Sequence, residues 1–237
     1  MPQKKIVYMR HLQLDFIRGI AIILMVIFHL SFDLNNFNFI NIDIYHGHFW
    51  KYFRYLILSL FILCVGIALV LSTQNSLDIK KTFKRFILLI SLALLVSLAS
   101  YFTFAQTWIY FGVLHFIAFA SLFALLFLRL VWLNLLFGLS IITLYFTGFI
   151  NMHWLYEVFQ VPLHLPKYTE DLVSFTPWFG VILIGIFVAK KSLYLFPLKE
   201  NKLTLTIGFL GKNSLLIYIV HQPIFFGLTY AADYLLH

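Results

Sequence analysis

A chain of 237 residues in which 62% are hydrophobic and 11% are charged, with a mean hydropathy of +0.93, lies far outside the composition of soluble globular domains. The formal net charge of +8 does not indicate nucleic-acid binding, because Lys and Arg cluster between apolar runs instead of forming a basic patch interleaved with aromatic residues. A single cysteine, Cys64, excludes an internal disulfide. The composition predicts an all-α, polytopic membrane helix bundle, and the polar connections are too short for a second domain, so residues 1–237 are expected to form one integral-membrane domain.

Seven apolar runs are long enough to cross a bilayer, at residues 14–34, 52–73, 84–105, 108–129, 132–150, 173–190 and 213–232. The first lacks a small-residue cleavage site and is predicted to be a retained span, not a signal peptide. Basic residues precede the first span and fill alternate connections: Lys4, Lys5, Arg10, Lys80, Lys81, Lys84, Arg85, Arg129, Lys190, Lys191, Lys199, Lys202 and Lys212. The positive-inside rule therefore predicts a multi-pass protein of the cytoplasmic membrane, with the N-terminus in the cytoplasm and the C-terminus outside.

The first span carries four ionisable residues on one face. With Asp15 at 0°, Arg18 falls at about −60°, His29 at about −40° and Asp33 at about 0° around an α-helix. Because an ionisable group in hydrocarbon costs ~2.5 kcal/mol or more, this stripe is predicted to face a bundle interior or a wet cavity. Asp15 and Asp33 lie near the two membrane surfaces, where the alternative that they only mark the helix ends stays open.

Two further histidines are predicted near mid-membrane, His115 about eight residues into the fourth span and His221 about eight residues into the seventh. A lone buried histidine is often a core residue bonded to a neighbouring helix, but two at one depth favour a site. Ser214 and Tyr218 share a helical face with His221, and Pro223 is expected to break the helix just beyond them. Such freed backbone and polar side chains line cavities in membrane proteins.

The outer loops supply further candidates. His46 and His48 lie in the connection 35–51, and Trp178 follows Pro177 at the outer start of the sixth span. A second long loop, 151–172, concentrates acidic residues and histidines, in part as the mirror image of the positive-inside rule. His46 and His48 are too close together for a helical metal-binding pair, and no motif of the HExxH or CxxC type is present, so no metal is expected.

Five segments resemble the bacterial branch of the heparan-alpha-glucosaminide N-acetyltransferase catalytic-domain family, within the wider transmembrane acyltransferase superfamily. They are LDFIRGIAIILMVIFHLSFD (14–33), LFILCVGIAL (60–69), FGVLHFIAFA (111–120), TPWFGVILIG (176–185) and GKNSLLIYIVHQPI (211–224), in an order that spans nearly the whole chain. Arg18 and His29 also have ten residues between them, a spacing shared with the acyltransferase-3 branch of the superfamily.

The resemblance implies transfer of an acetyl or other acyl group from cytoplasmic acetyl-CoA to a hydroxyl or amine of an extracytoplasmic glycan or lipid-linked envelope acceptor. The residues are compatible with this chemistry, because a histidine can take the acceptor's proton near neutral pH. His29 is the expected general base, with Asp33 one turn on to orient it, and His115 and His221 complete the catalytic set. Substrate-binding candidates are Asp15, Arg18, His46, His48, Trp178, Ser214, Tyr218 and Gln222. His46 and His48 match a histidine of the family's first outer loop ambiguously, so either could take part.

Asp15 and Arg18 are expected to pair at the cytoplasmic mouth, and the CoA phosphates to meet cations of the 80–85 or 190–191 clusters. The alternative that these clusters are only topology signals stays open. A transporter or flippase using the same polar stripe is the main rival function, and a non-catalytic scaffold in contact with membrane lipids is the third. The residues do not define the oligomeric state, and a homo-oligomer stays open.

Overall fold

The computed structural model describes residues 11–169 and 171–236, and within them it contains helices and no strand. The nine α-helices, numbered α1 to α9, are Leu12–Asn36, His48–Ser72, Ile79–Thr103, Val113–Ala124, Val131–Phe146, His153–Gln160, Phe175–Lys190, Lys202–Lys212 and Ser214–Leu236. A short 3₁₀ turn, Leu125–Phe127, extends α4. The prediction of an all-α fold is confirmed for this part of the chain. Lys4, Lys5, Arg10 and Glu170 lie outside the described residues.

The helices group into two compact units. Among the described residues, the first contains 11–57 and 195–236, and the second lies within Leu58–Tyr194, so the boundary falls inside α2. The prediction of a single domain stays a prediction.

Each of the seven predicted spans is occupied by an apolar helix. Four of these helices, α1, α2, α3 and α9, are long and apolar enough to cross a membrane. The other three are shorter, at Val113–Phe127, Val131–Phe146 and Phe175–Lys190. Helix length and composition therefore support the prediction of a membrane protein. The count of seven spans and the orientation of the termini stay predictions.

In the first unit, α8 packs against α1 at very short range. Gly19 on α1 and Gly211 on α8 allow it, because a Cβ at Gly19 would overlap the carbonyl of Ile207 and one at Gly211 would overlap the carbonyl of Asp15. The sequence predicts a connection between spans at residues 191–212, and the structure adds α8 within it. Its start is set by a capping box, in which Asn201 Oδ1 accepts from the Thr204 N–H at 2.9 Å and Thr204 Oγ1 accepts from the Asn201 N–H at 3.0 Å.

In the second unit, paired glycines bring α7 against two other helices. Gly180 on α7 meets Gly138 on α5, and Gly185 on α7 meets Gly66 on α2, with the added Cβ of each glycine blocked by the partner's backbone. Small residues at membrane helix crossings allow such close backbone approach. At the start of α7, Thr176 is extended, as expected for a residue before a proline.

Two predictions about local structure are wrong. The fourth helix begins at Val113 and not at residue 108, so His115 lies in its first turn instead of two turns in. The reason is that Ser97 and Ser100 of α3 bind the backbone of Ile109 and hold the preceding segment in a non-helical path. Pro223 does not break the seventh apolar helix, since α9 continues through it to Leu236. Membrane helices tolerate an internal proline when the freed carbonyl finds other partners.

Candidate active site

In the first unit, α1 and α9 bring two histidine rings together. The ring centroids of His29 and His221 are 4.9 Å apart, and the ring planes are inclined at 64°. His221 is 6% exposed. Phe28, the neighbour of His29 on α1, packs edge-on against the His29 ring at 5.5 Å, and Tyr218 lies one turn before His221 with its ring 5.9 Å away. The polar stripe of α1 therefore meets the Tyr218 and His221 face of α9.

The hydrogen bonds of His221 define which ring nitrogen carries its proton. Its Nδ1 lies 2.8 Å from the carbonyl oxygen of Tyr218 and 3.2 Å from that of Ile217. A carbonyl oxygen can only accept, so Nδ1 is the donor, and in the neutral ring Nε2 holds an unshared lone pair. His221 Nε2 is buried and has no hydrogen-bond partner among the described residues. Because no hydrogen-bond donor contacts this nitrogen, its lone pair can accept a proton from a bound molecule.

Asp33 and Gln222 form a second contact between the same two helices. Gln222 Nε2 donates to Asp33 Oδ1 at 2.9 Å, and Asp33 is fully buried. In the described part of the chain, Asp33 Oδ2 and Gln222 Oε1 are buried with no hydrogen-bond partner. With His221 Nε2, the residues in contact between α1 and α9 carry three buried acceptor atoms that receive no hydrogen bond from the described residues. Unpaired buried acceptors are costly, so this arrangement favours a ligand with N–H or O–H groups.

The contact of Asp33 differs from the sequence-based expectation. Asp33 was expected to orient His29 one turn away on α1, but its hydrogen bond is with Gln222 of α9. His221 has a defined free lone pair, whereas His29 has ring contacts with Phe28 and His221. The role of His29 as general base stays a prediction. The sequence predicts Gln222 as a substrate-binding residue but does not predict its contact with Asp33.

At the other end of α1, Asp15 and Arg18 form the predicted ion pair. Arg18 Nη1 lies 3.5 Å from Asp15 Oδ1, with the side chains 25% and 9% exposed. The pair lies beside α8, since the Asp15 carbonyl is the atom that a side chain at Gly211 would strike. The position of this pair at a cytoplasmic mouth stays a prediction.

His115 belongs to the second unit and has both ring nitrogens engaged. The Gly112 N–H donates to His115 Nδ1 at 3.3 Å, so Nδ1 is the acceptor and the proton is on Nε2. That Nε2 lies 3.5 Å from Ser97 Oγ, which itself donates to the Ile109 carbonyl. His115 therefore links the start of α4 to α3, which favours a structural role over a catalytic one. Ser97 and Gly112 were missed as its partners, and their spacing in the sequence gives no signal for this contact.

The remaining candidates lie in a loop and at the starts of helices. His46 is exposed in the loop before α2, where its backbone N–H donates to Asp43 Oδ1 at 2.9 Å. His48 is the exposed first residue of α2. Ser214 is the half-buried first residue of α9. Trp178 lies in the first turns of α7 in the second unit and is 7% exposed. No group of three or more His, Cys, Asp or Glu side chains that could hold a metal occurs among the residues described.

A family model described as heparan-alpha-glucosaminide N-acetyltransferase, catalytic, matches residues 10–223. The chain belongs to this family. The resemblance found in the sequence is thereby confirmed, and the protein is assigned to the membrane acetyltransferases. The match begins just before α1 and ends one residue beyond Gln222, so it includes all four residues of the α1–α9 cluster, His29, Asp33, His221 and Gln222. The comparisons give no match among curated proteins and none among solved structures.

Proposed function

We propose that the protein transfers an acetyl group from acetyl-CoA, supplied on the cytoplasmic side of the cytoplasmic membrane, to an amine or hydroxyl of an extracytoplasmic glycan or lipid-linked acceptor. Membership of the acetyltransferase family supports the reaction class. The observation that carries the proposal for this site is the buried, unpaired Nε2 of His221 beside the ring of His29.

In the proposed reaction, the acceptor nitrogen or oxygen attacks the thioester carbonyl carbon. His221 Nε2 takes the proton that the acceptor loses. The carbon–sulfur bond then breaks to release CoA as the thiolate, which becomes the thiol by taking that proton from the His221 imidazolium. His29 supplies a second imidazole whose N–H can hydrogen-bond the carbonyl oxygen as it gains negative charge. Asp33 Oδ2 and Gln222 Oε1 hold the hydrogens of the acceptor group in place.

The acceptor atoms of the site favour an amine over a hydroxyl. A hydroxyl donates one hydrogen bond, whereas a neutral primary amine donates two and an ammonium three. Three unpaired acceptors, His221 Nε2, Asp33 Oδ2 and Gln222 Oε1, suit the group with more donors. The carboxylate of Asp33 adds attraction for an ammonium before it is deprotonated.

The test uses membranes that contain the full-length protein and acetyl-CoA labelled in the acetyl group. We expect the label to enter an endogenous acceptor and to resist alkaline hydroxylamine, because amides survive a treatment that cleaves oxygen esters. Membranes with a His29→Gln/His221→Gln variant at the same protein level are the control and should show background labelling. Label that hydroxylamine removes would identify a hydroxyl, not an amine, as the acceptor group. Equal labelling in the double variant would contradict the proposed site.

A further inference from the structure

A pocket in the second unit has no part in the proposed reaction. It has a volume of about 120 Å³ and lies among the C-terminal turn of α2, the first turns of α3 and the middle of α4. Its floor is apolar, with Leu69, Leu89 and Leu122 among the lining side chains. Lys81 and Arg85 line it from α3. A pocket with an apolar floor and a cationic border is suited to bind an amphiphile that has an anionic head group.

The charge at this pocket is positive. Lys81 and Arg85 are four residues apart on α3 and therefore share a face of the helix, and Lys80 and Lys84 are exposed beside them. The one acidic residue of the lining, Asp78, caps α3 by accepting a hydrogen bond from the Lys81 N–H at 3.0 Å. The lining thus carries two cationic side chains and one carboxylate, which leaves it with a net positive charge.

A row of aromatic rings extends from the pocket onto the exposed surface of α3 and α4. Phe86 lines the pocket, stacks with Phe83 at 6.5 Å and packs edge-on against Phe119 at 5.7 Å. Phe83 is 60% exposed and Phe119 is 40% exposed. Exposed apolar side chains on helices of a membrane protein are suited to contact acyl chains. The surface next to the cationic border is therefore apolar and aromatic.

We propose that this pocket binds an anionic phospholipid of the leaflet that faces the basic end of α3, expected to be the cytoplasmic one. The phosphate contacts Lys81 and Arg85, and the glycerol and first acyl carbons lie on the apolar floor, with the chain continuing along Phe83 and Phe119. Ser121, whose hydroxyl oxygen is buried and has no hydrogen-bond partner in the part of the chain that the structure describes, lines the same pocket and can donate to a lipid ester oxygen. This lipid site does not rest on the acetyltransferase proposal.

The experiment is native mass spectrometry of the full-length protein, purified in detergent and supplied with phosphatidylglycerol or phosphatidylcholine. The test variant is Lys81→Gln/Arg85→Gln. The matched control is Lys199→Gln/Lys202→Gln, which removes the same charge from exposed residues before and at the start of α8. A charge-conserving variant, Lys81→Arg/Arg85→Lys, checks that the pocket tolerates substitution. Thermal unfolding in the same detergent verifies that all variants are folded.

We expect phosphatidylglycerol retention to fall about 10- to 30-fold in the Lys81/Arg85 neutral variant, since each cation near a membrane surface contributes on the order of a few-fold. The control and the charge-conserving variant should retain the lipid as wild type does, and phosphatidylcholine should bind weakly to all. Equal losses in test and control variants would overturn the site. Displacement of phosphatidylglycerol by micromolar acetyl-CoA would also overturn it, because the pocket would then hold the nucleotide of the donor.

Discussion

His221 in the first unit and His115 in the second are buried to nearly the same extent, at 6% and 8% exposure, yet their environments are chemically opposite. His221 donates through Nδ1 to backbone carbonyls and leaves Nε2 without a partner among the described residues. His115 accepts at Nδ1 from Gly112 and has Ser97 at Nε2. Burial alone therefore does not identify a catalytic histidine, whereas the donor or acceptor character of the neighbouring atoms does.

The largest expected effect is on turnover when each histidine is replaced by glutamine. His221→Gln removes the group that accepts the proton, so acetyl transfer per molecule of folded protein should fall by about 10²-fold or more. His115→Gln should lower turnover only a few-fold, because glutamine can still bond to the start of α4. Initial rates with labelled acetyl-CoA, normalised to membrane protein level, measure both. The reverse order of sensitivity would assign the catalytic role to the second unit.

The next effect concerns the contact between Gln222 and Asp33. Gln222→Leu leaves the buried Asp33 carboxylate without its donor, and we expect turnover to fall about tenfold with a measurable loss of thermal stability. Gln13→Leu is the matched control, since Gln13 in the same unit donates to the Phe196 carbonyl at 3.3 Å, away from the histidines. If both variants lose stability equally and neither loses additional turnover, Gln222 only supports the fold.

A smaller effect is expected on stability at His115. His115→Leu removes the acceptor of the Gly112 N–H and the partner of Ser97, which should cost about 1–3 kcal/mol of unfolding free energy for the buried polar groups left unpaired. The turnover of the protein that remains folded should fall by no more than a few-fold. Thermal unfolding and normalised rates separate the two quantities, and an unchanged melting temperature with lost activity would contradict the structural role.

The smallest expected effect is on the Km for the acyl donor, acetyl-CoA. Because the pocket at Lys81 and Arg85 is assigned to a lipid, neutralising Lys190 and Lys191 should raise the Km for acetyl-CoA a few-fold, and neutralising Lys81 and Arg85 should not. Lys191 lies over the Trp132 ring at 4.5 Å, so this contact must be exchanged when a phosphate binds. A Km that rises only with the Lys81/Arg85 variant would move the donor phosphates to the α3 pocket.

The sequence predicts some of this arrangement and misses other parts for physical reasons. The helical period places Asp15, Arg18, His29 and Asp33 on one stripe, and the ion pair at i and i+3 follows directly from that spacing. The contact between Asp33 and Gln222 joins residues 189 positions apart, so no local pattern contains it. The start of α4 depends on the backbone of Ile109, whose carbonyl accepts from Ser97 Oγ and whose N–H donates to Ser100 Oγ, and apolar periodicity does not report these contacts.

Helix α8 has a start that the sequence can predict and a packing contact that it cannot. Asn201 and Thr204 carry a capping-box spacing that could have predicted the helix start. Its packing on α1 depends on the absence of side chains at Gly19 and Gly211, which becomes meaningful only when the two helices are known to meet. Local signals thus define helix ends, and long-range contacts define the site.

The most direct measurement of the central claim is the tautomer of each histidine, by nitrogen-15 solid-state NMR of the full-length protein in lipid bilayers. Signals are assigned by their loss in His221→Gln and His115→Gln variants. At a pH where both rings are neutral, we predict opposite tautomers, with the proton on Nδ1 in His221 and on Nε2 in His115. A His221 ring protonated on Nε2 would contradict the free lone pair on which the proposed reaction depends.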